Sequence, residues 1–105
     1  MKSSKTIQIE FQQVAQQAQK LEQCANDLMK VRHQLQELMN DLHCGWEGES
    51  ADMYLQKCSE LSDKINTSAN NLDKTANVIE RSARAYRDAE LAAIKIAEAI
   101  SRAAN

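Results

Sequence analysis

Between Phe11 and Leu42 the apolar residues fall at Phe11, Val14, Ala18, Leu21, Ala25, Leu28, Val31, Leu35, Leu38 and Leu42. These steps of three and four place them along one side of a single helix in a heptad-like seam. The other sides carry mostly glutamine and charge, residues that sustain a helix while solvated. The spacing predicts a first helix over about residues 10–44. Ahead of it, Thr6-Ile7-Gln8-Ile9 alternates polar and apolar and reads as a short extended lead-in. After residue 50 the same rhythm resumes at Ala51, Tyr54, Cys58, Leu61, Ile65, Ala69, Leu72, Ala76, Ile79, Ala83 and Tyr86, and runs on through Ala93, Ile96 and Ile100. It predicts a second helix over about residues 49–102. Its middle, Asn66-Thr67-Ser68-Ala69-Asn70-Asn71, holds side chains that compete for backbone hydrogen bonds, so a bend or fraying is expected there if anywhere.

Between the two seams lies His43-Cys44-Gly45-Trp46-Glu47-Gly48-Glu49-Ser50, which contains both glycines and the single tryptophan of a chain without proline. Gly45 follows the last seam residues of the first helix, where a left-handed residue commonly ends a helix and glycine adopts that conformation without a Cβ penalty. Gly48 precedes the second seam, with Glu47, Glu49 and Asp52 placed to meet the positive end of the new helix. The turn is therefore placed at residues 45–48. So short a connection makes the helices antiparallel neighbours, and the chain a single all-α helical hairpin over residues 1–105.

A first helix of this length extends roughly 50 Å at 1.5 Å per residue, which predicts a rod. Met29, Met39, Val78 and Ile94 lie beside the seam rows and make the apolar stripe wider than one facing helix can cover. Pairing two hairpins into a four-helix bundle, most simply as a two-fold homodimer, is the expected solution. The dimer seam is assigned to Leu21, Leu28 and Leu35 on the first helix and to Leu61, Ile65, Leu72 and Ile79 on the second.

Composition supports the helical reading and narrows the function. One Phe, one Trp and two Tyr in 105 residues leave Ala, Leu, Ile and Met to fill the interior, a list that suits helix seams better than strands. The net charge of -2, with both signs interspersed, offers no basic stripe, so nucleic acid is not an expected partner. The first twenty residues contain no apolar block of signal-peptide length, and the longest apolar run, Leu91-Ala92-Ala93-Ile94, is far below a membrane span. Export, if it occurs, has to use another signal, and no membrane insertion is expected from the sequence itself.

Candidate chemistry is sparse. In a hairpin turning at residues 46 and 47, Cys24 and Cys58 lie roughly 16 Å apart at helical rise, beyond disulfide reach. They read as small seam fillers, while Cys44 beside the turn offers a bridge between molecules if oxidised, against the more ordinary state of three reduced thiols. His33 with Glu37 and His43 with Cys44 are too few and too far apart for a metal site. No nucleophile, base and orienting group converge, and there is no phosphate-binding glycine loop. The chain is read as no enzyme, with no cofactor.

Trp46-Glu47-Gly48 at the elbow of a hairpin of about this length, followed by Ser50, Ala51 and Tyr54, resembles the Trp-x-Gly (WXG) family of small ESAT-type substrates of type VII (ESX-like) secretion. Tyr86-Arg87-Asp88-Ala89-Glu90 is similar to the family's export pattern, a Tyr followed four residues later by an acid. The resemblance implies a protein made in the cytoplasm of a Gram-positive or mycobacterial cell and secreted, folded as a helical-hairpin dimer, in settings of virulence or interbacterial competition. It implies Tyr86 and Glu90 as export signal, Trp46, Gly48 and Gly45 as turn motif, and the type VII secretion ATPase as partner. The dimer partner is an identical chain, a paralogue or the helical N-terminal domain of a larger LXG-type toxin, for which this chain then serves as targeting partner or chaperone. An intracellular coiled-coil adaptor or structural subunit is the reading from another class. From seam spacing, Tyr86 is expected to be partly buried and Glu90 exposed. Trp46 is expected to plug the end of a bundle.

Overall fold

The computed structural model describes residues 2–104. Two helices make up the fold, α1 over Ser4–Gly45 and α2 over Glu49–Ala104, joined by three residues into a helical hairpin. The all-α hairpin predicted by the periodicity is what the chain forms. Met1 and Asn105, the ends of the expected 1–105 domain, lie outside the described residues.

The lead-in is helical rather than extended. Ser3 caps α1: its carbonyl accepts the Ile7 N–H at 3.1 Å and its Oγ accepts the Thr6 N–H at 3.1 Å. A serine in this position satisfies a backbone donor that has no helical partner, so the helix begins at Ser4, ahead of the seam that opens at Phe11. Ile7 is then buried and Ile9 exposed, because residues two apart on a helix point about 160° away from each other.

The turn also differs in its working residue. Gly45 is still helical, and the Trp46 N–H donates to the Leu42 carbonyl at 2.8 Å, one further bond of the α ladder. Among the described residues the positive φ belongs to Gly48, at 115°. The Gly48 carbonyl accepts the Asp52 N–H at 3.0 Å, which makes this glycine the N-cap of α2. Glu49 and Asp52 occupy its first turn, as the dipole favours. The reversal therefore spans residues 46–48, and the left-handed step starts the second helix instead of ending the first.

The hairpin divides into two compact units. In the elbow unit, Leu21–Lys74, the buried positions are small: Ala25, Ala51, Ser62 and Ala69. Arg32 reaches across and its Nε donates to both the carbonyl and the Oγ of Ser62, each at 3.2 Å. This pair sets a register that brings Ala25 level with Ala69 at equal helical rise. Small residues let helices approach to the short end of the usual 8–10 Å spacing. Leu21, Leu28, Leu35, Ile65 and Leu72 flank that row and are only half-buried, and Leu61 is 50% exposed. Cys24 is exposed and Cys58 half-buried, so Cys24 does not fill the seam between α1 and α2. α2 passes through Asn66–Asn71 without a break, with Ala69 buried in its middle.

The terminal unit takes in the chain up to Lys20 and from Thr75 onward. Ile7, Ala18 and Ala76 are buried, Phe11, Ile79 and Ala83 half-buried, and Val14 and Val78 exposed. Apart from Ile7, the same division holds, with small residues inward and larger ones at the flank. Ile7 is the one large side chain buried among the described residues. A Leu, Ile or Val gains about 1.5–3 kcal/mol on full burial, so a half-exposed row leaves a good part of that gain unrealised. No helix among the described residues is long and apolar enough to cross a membrane.

Candidate functional site: the Tyr86 groove and the Trp46 elbow

The heptad rows of α2 determine how Tyr86 and Glu90 are presented. Ala69, Ala76 and Ala83 succeed one another at seven residues on the side of α2 that faces α1, and Glu90 is the next member of that row. Ile65, Leu72 and Ile79 form the flanking row, and Tyr86 continues it. The outcome reverses the seam-based expectation: Tyr86 is 62% exposed and Glu90 is half-buried. Glu90 Oε2 is shut off from solvent and has no hydrogen-bond partner among the described residues.

These residues line a groove of about 500 Å³ in the terminal unit, walled by Ile7, Phe11, Val14, Val78 and Ile79, with Tyr86, Arg87 and Glu90 at its polar side. The Arg87 guanidinium carbon lies 4.2 Å from the centre of the Phe11 ring, a cation–π contact that ties α2 to α1 in this unit. Arg87 Nε also donates to Asp88 Oδ1 at 3.0 Å. Arg84 Nη2 pairs with Glu80 Oε1 at 2.7 Å, a solvated pair one turn apart.

The Tyr86 phenol and the Lys2 ammonium both titrate above their ordinary values. Hydrogen bonding to the Glu90 carboxylate, reinforced by its negative charge, raises the pKa of the Tyr86 phenol above its ordinary 10.0, with the Lys2 charge opposing the rise. Tyr86 is thus a neutral hydrogen-bond donor at physiological pH. Lys2 Nζ donates to Glu10 Oε2 at 2.9 Å, and that bond and charge, with a smaller contribution from Glu90, raise the lysine pKa from 10.5. Lys2 was not singled out by its sequence. Its contact, with Glu10 eight residues on, falls outside the three- and four-residue spacings by which helix pairs are read.

At the elbow, Trp46 is 40% exposed and its ring centroid lies 5.7 Å from that of Tyr54, tilted by 53°. The pair makes an aromatic contact across the turn, within the range where ring quadrupoles attract. Tyr54 is itself exposed, so the rings form an apolar knob, and within this hairpin Trp46 plugs nothing.

A family model described as "Proteins of 100 residues with WXG" (WXG100) matches residues 6–91, a span that includes Trp46-Glu47-Gly48 and ends just after Glu90. The chain belongs to the WXG100 family. Neither a curated protein nor a solved structure matches it. WXG100 proteins are small, secreted, helical and non-enzymatic, and generally form hairpin dimers. The three cysteines of this member are free, and His33 Nε2 lies 3.0 Å from Glu37 Oε1 on an exposed face. No group of three or more potential metal ligands occurs among the described residues.

Proposed function

We propose that this WXG100 protein is a substrate or accessory protein of a type VII secretion system, exported as a folded helical-hairpin dimer. Recognition runs through Tyr86 and Glu90 together with the Trp46 elbow. The observation that carries the reading is the family match over residues 6–91, which takes in both elements. The geometry agrees with it: Tyr86 stands out from α2 as a neutral donor on the rim of an apolar groove, and Trp46 forms an exposed knob with Tyr54.

The dimer follows from what the hairpin leaves uncovered. Leu21, Leu28, Leu35, Leu61, Ile65, Leu72 and Ile79 flank the small inward row and are half-buried or exposed. A second hairpin laid on that side covers them and completes a four-helix bundle. The partner is an identical chain, a paralogue or the helical N-terminal domain of a larger LXG-type toxin, and the secretion ATPase is the receptor.

The test is export from a host with an active type VII system. Tyr86→Ala and Glu90→Gln are expected to abolish secretion while helicity and association stay near wild type. Undiminished secretion of both variants sinks the proposal. Light scattering on the purified chain assigns the partner: a dimer alone supports a self-sufficient substrate, and a monomer or soluble aggregate supports the accessory role.

A further inference from the structure

The stretch ahead of α1 does more than cap the helix. Ser3 holds the first turn through Thr6 N–H, and Lys2, just before it, turns back along α1 to place Nζ 2.9 Å from Glu10 Oε2, eight residues on. Lys2 also reaches toward α2. Together with Ile7, Glu90 and Ala93 it bounds a hollow of about 360 Å³ that adjoins the Tyr86 groove through the shared residues Ile7 and Glu90. Glu90 Oε2, shut off from solvent and without a hydrogen-bond partner among the described residues, belongs to a residue that lines both spaces. A carboxylate oxygen without a donor is poised to accept one as soon as it can be reached.

We propose that Lys2, anchored on Glu10, is a strap that closes over Glu90 and must move aside before a partner can engage that carboxylate. The inference rests on the reading of Tyr86 and Glu90 as the recognition pair. An exposed ion pair such as Lys2–Glu10 contributes little and is screened by salt, which suits a closure that has to open readily. The Lys2 charge is also felt by Tyr86, whose phenol it pulls down against the larger upward effect of Glu90.

The experiment is carbodiimide coupling of the purified full chain to glycine ethyl ester, with modification of Glu90 followed by peptide mass spectrometry and exposed Glu98 as internal reference. Glu90 in the wild type is expected to react much more slowly than Glu98. Lys2→Gly, which removes the strap, and Glu10→Gln, which removes its anchor, are each expected to raise the Glu90 rate several-fold and leave Glu98 unchanged, with the circular dichroism of both variants unaltered. An unchanged Glu90 rate in both variants overturns the strap. Lys2→Gly is also expected to raise export, and faster labelling without any change in export overturns the gating role. If Glu90→Gln is exported normally while labelling responds as expected, the recognition reading fails and the closure over Glu90 stands.

Discussion

Alanine at the two glycines separates the roles of Gly45 and Gly48 by the sign of its effect. An added Cβ meets no heavy atom within 4 Å at either position, so steric clash drops out and only backbone preference remains. Gly48 holds φ at 115°, a region that residues with a side chain rarely enter. Forcing alanine there costs about 1–2 kcal/mol. Gly45 is helical, and glycine inside a helix is worse than alanine by roughly 0.5–1 kcal/mol, so Gly45→Ala is expected to stabilise by that amount. The two variants therefore differ by about 2 kcal/mol, a shift of several degrees in Tm for a domain of this size. Urea unfolding followed by circular dichroism at one fixed protein concentration measures both, the fixed concentration removing any contribution from association. A destabilised Gly45→Ala with a neutral Gly48→Ala would return the left-handed step to residue 45 and refute the assignment.

Enlarging the inward row tests the close approach of the helices: Ala69→Leu and Ala76→Leu are each expected to cost about 1–3 kcal/mol through overpacking, seen as a lowered Tm, and an unchanged Tm removes the small-residue contact from the account. Tyr86 is expected to titrate above 10.0 when its ultraviolet absorbance is followed in a Tyr54→Phe background, and Glu90→Ala is expected to bring the midpoint down toward the ordinary value. The sign for stability is fixed by the same shift. The neutral phenol is favoured in the folded chain, so its contribution is fully present below the unfolded tyrosine pKa and is lost as pH rises through the higher folded value. A Tyr86 midpoint at or below the ordinary value excludes the contact with Glu90.

Both helices were readable from the three-four spacing alone, because a seam of more than thirty residues has no strand counterpart, and the Trp46-Glu47-Gly48 motif was enough to point to the family. Which row faced inward was not readable by hydrophobicity. Leu21, Leu28 and Leu35 are far greasier than alanine, yet they are half-buried while Ala18 and Ala25 beside them are buried. Hydrophobicity ranks side chains by their gain on burial, whereas the partner helix selects those that let two backbones come close. Tyr86 and Glu90 were misplaced because both rows were read as one seam, whereas Ala69, Ala76 and Ala83 lead to Glu90 and Ile65, Leu72 and Ile79 lead to Tyr86. The glycines were legible as a turn but not in order, for either one is chemically able to take a positive φ. The early start of α1 was missed because the short alternation at Thr6–Ile9 outweighed the serine cap at residue 3.

The alanine and serine interior of the hairpin divides the chain's tolerance to mutation into two kinds. Positions such as Ala25, Ala69 and Ala76 have no room for growth and are sensitive to a change of size. Positions such as Leu61 and Val78 have room to spare and are sensitive to a change of polarity, which a lone hairpin survives better than an assembled one. A library screened separately for folding and for pairing would sort the two sets, and substitutions confined to the second would redraw the choice of companion without rebuilding the hinge that carries it.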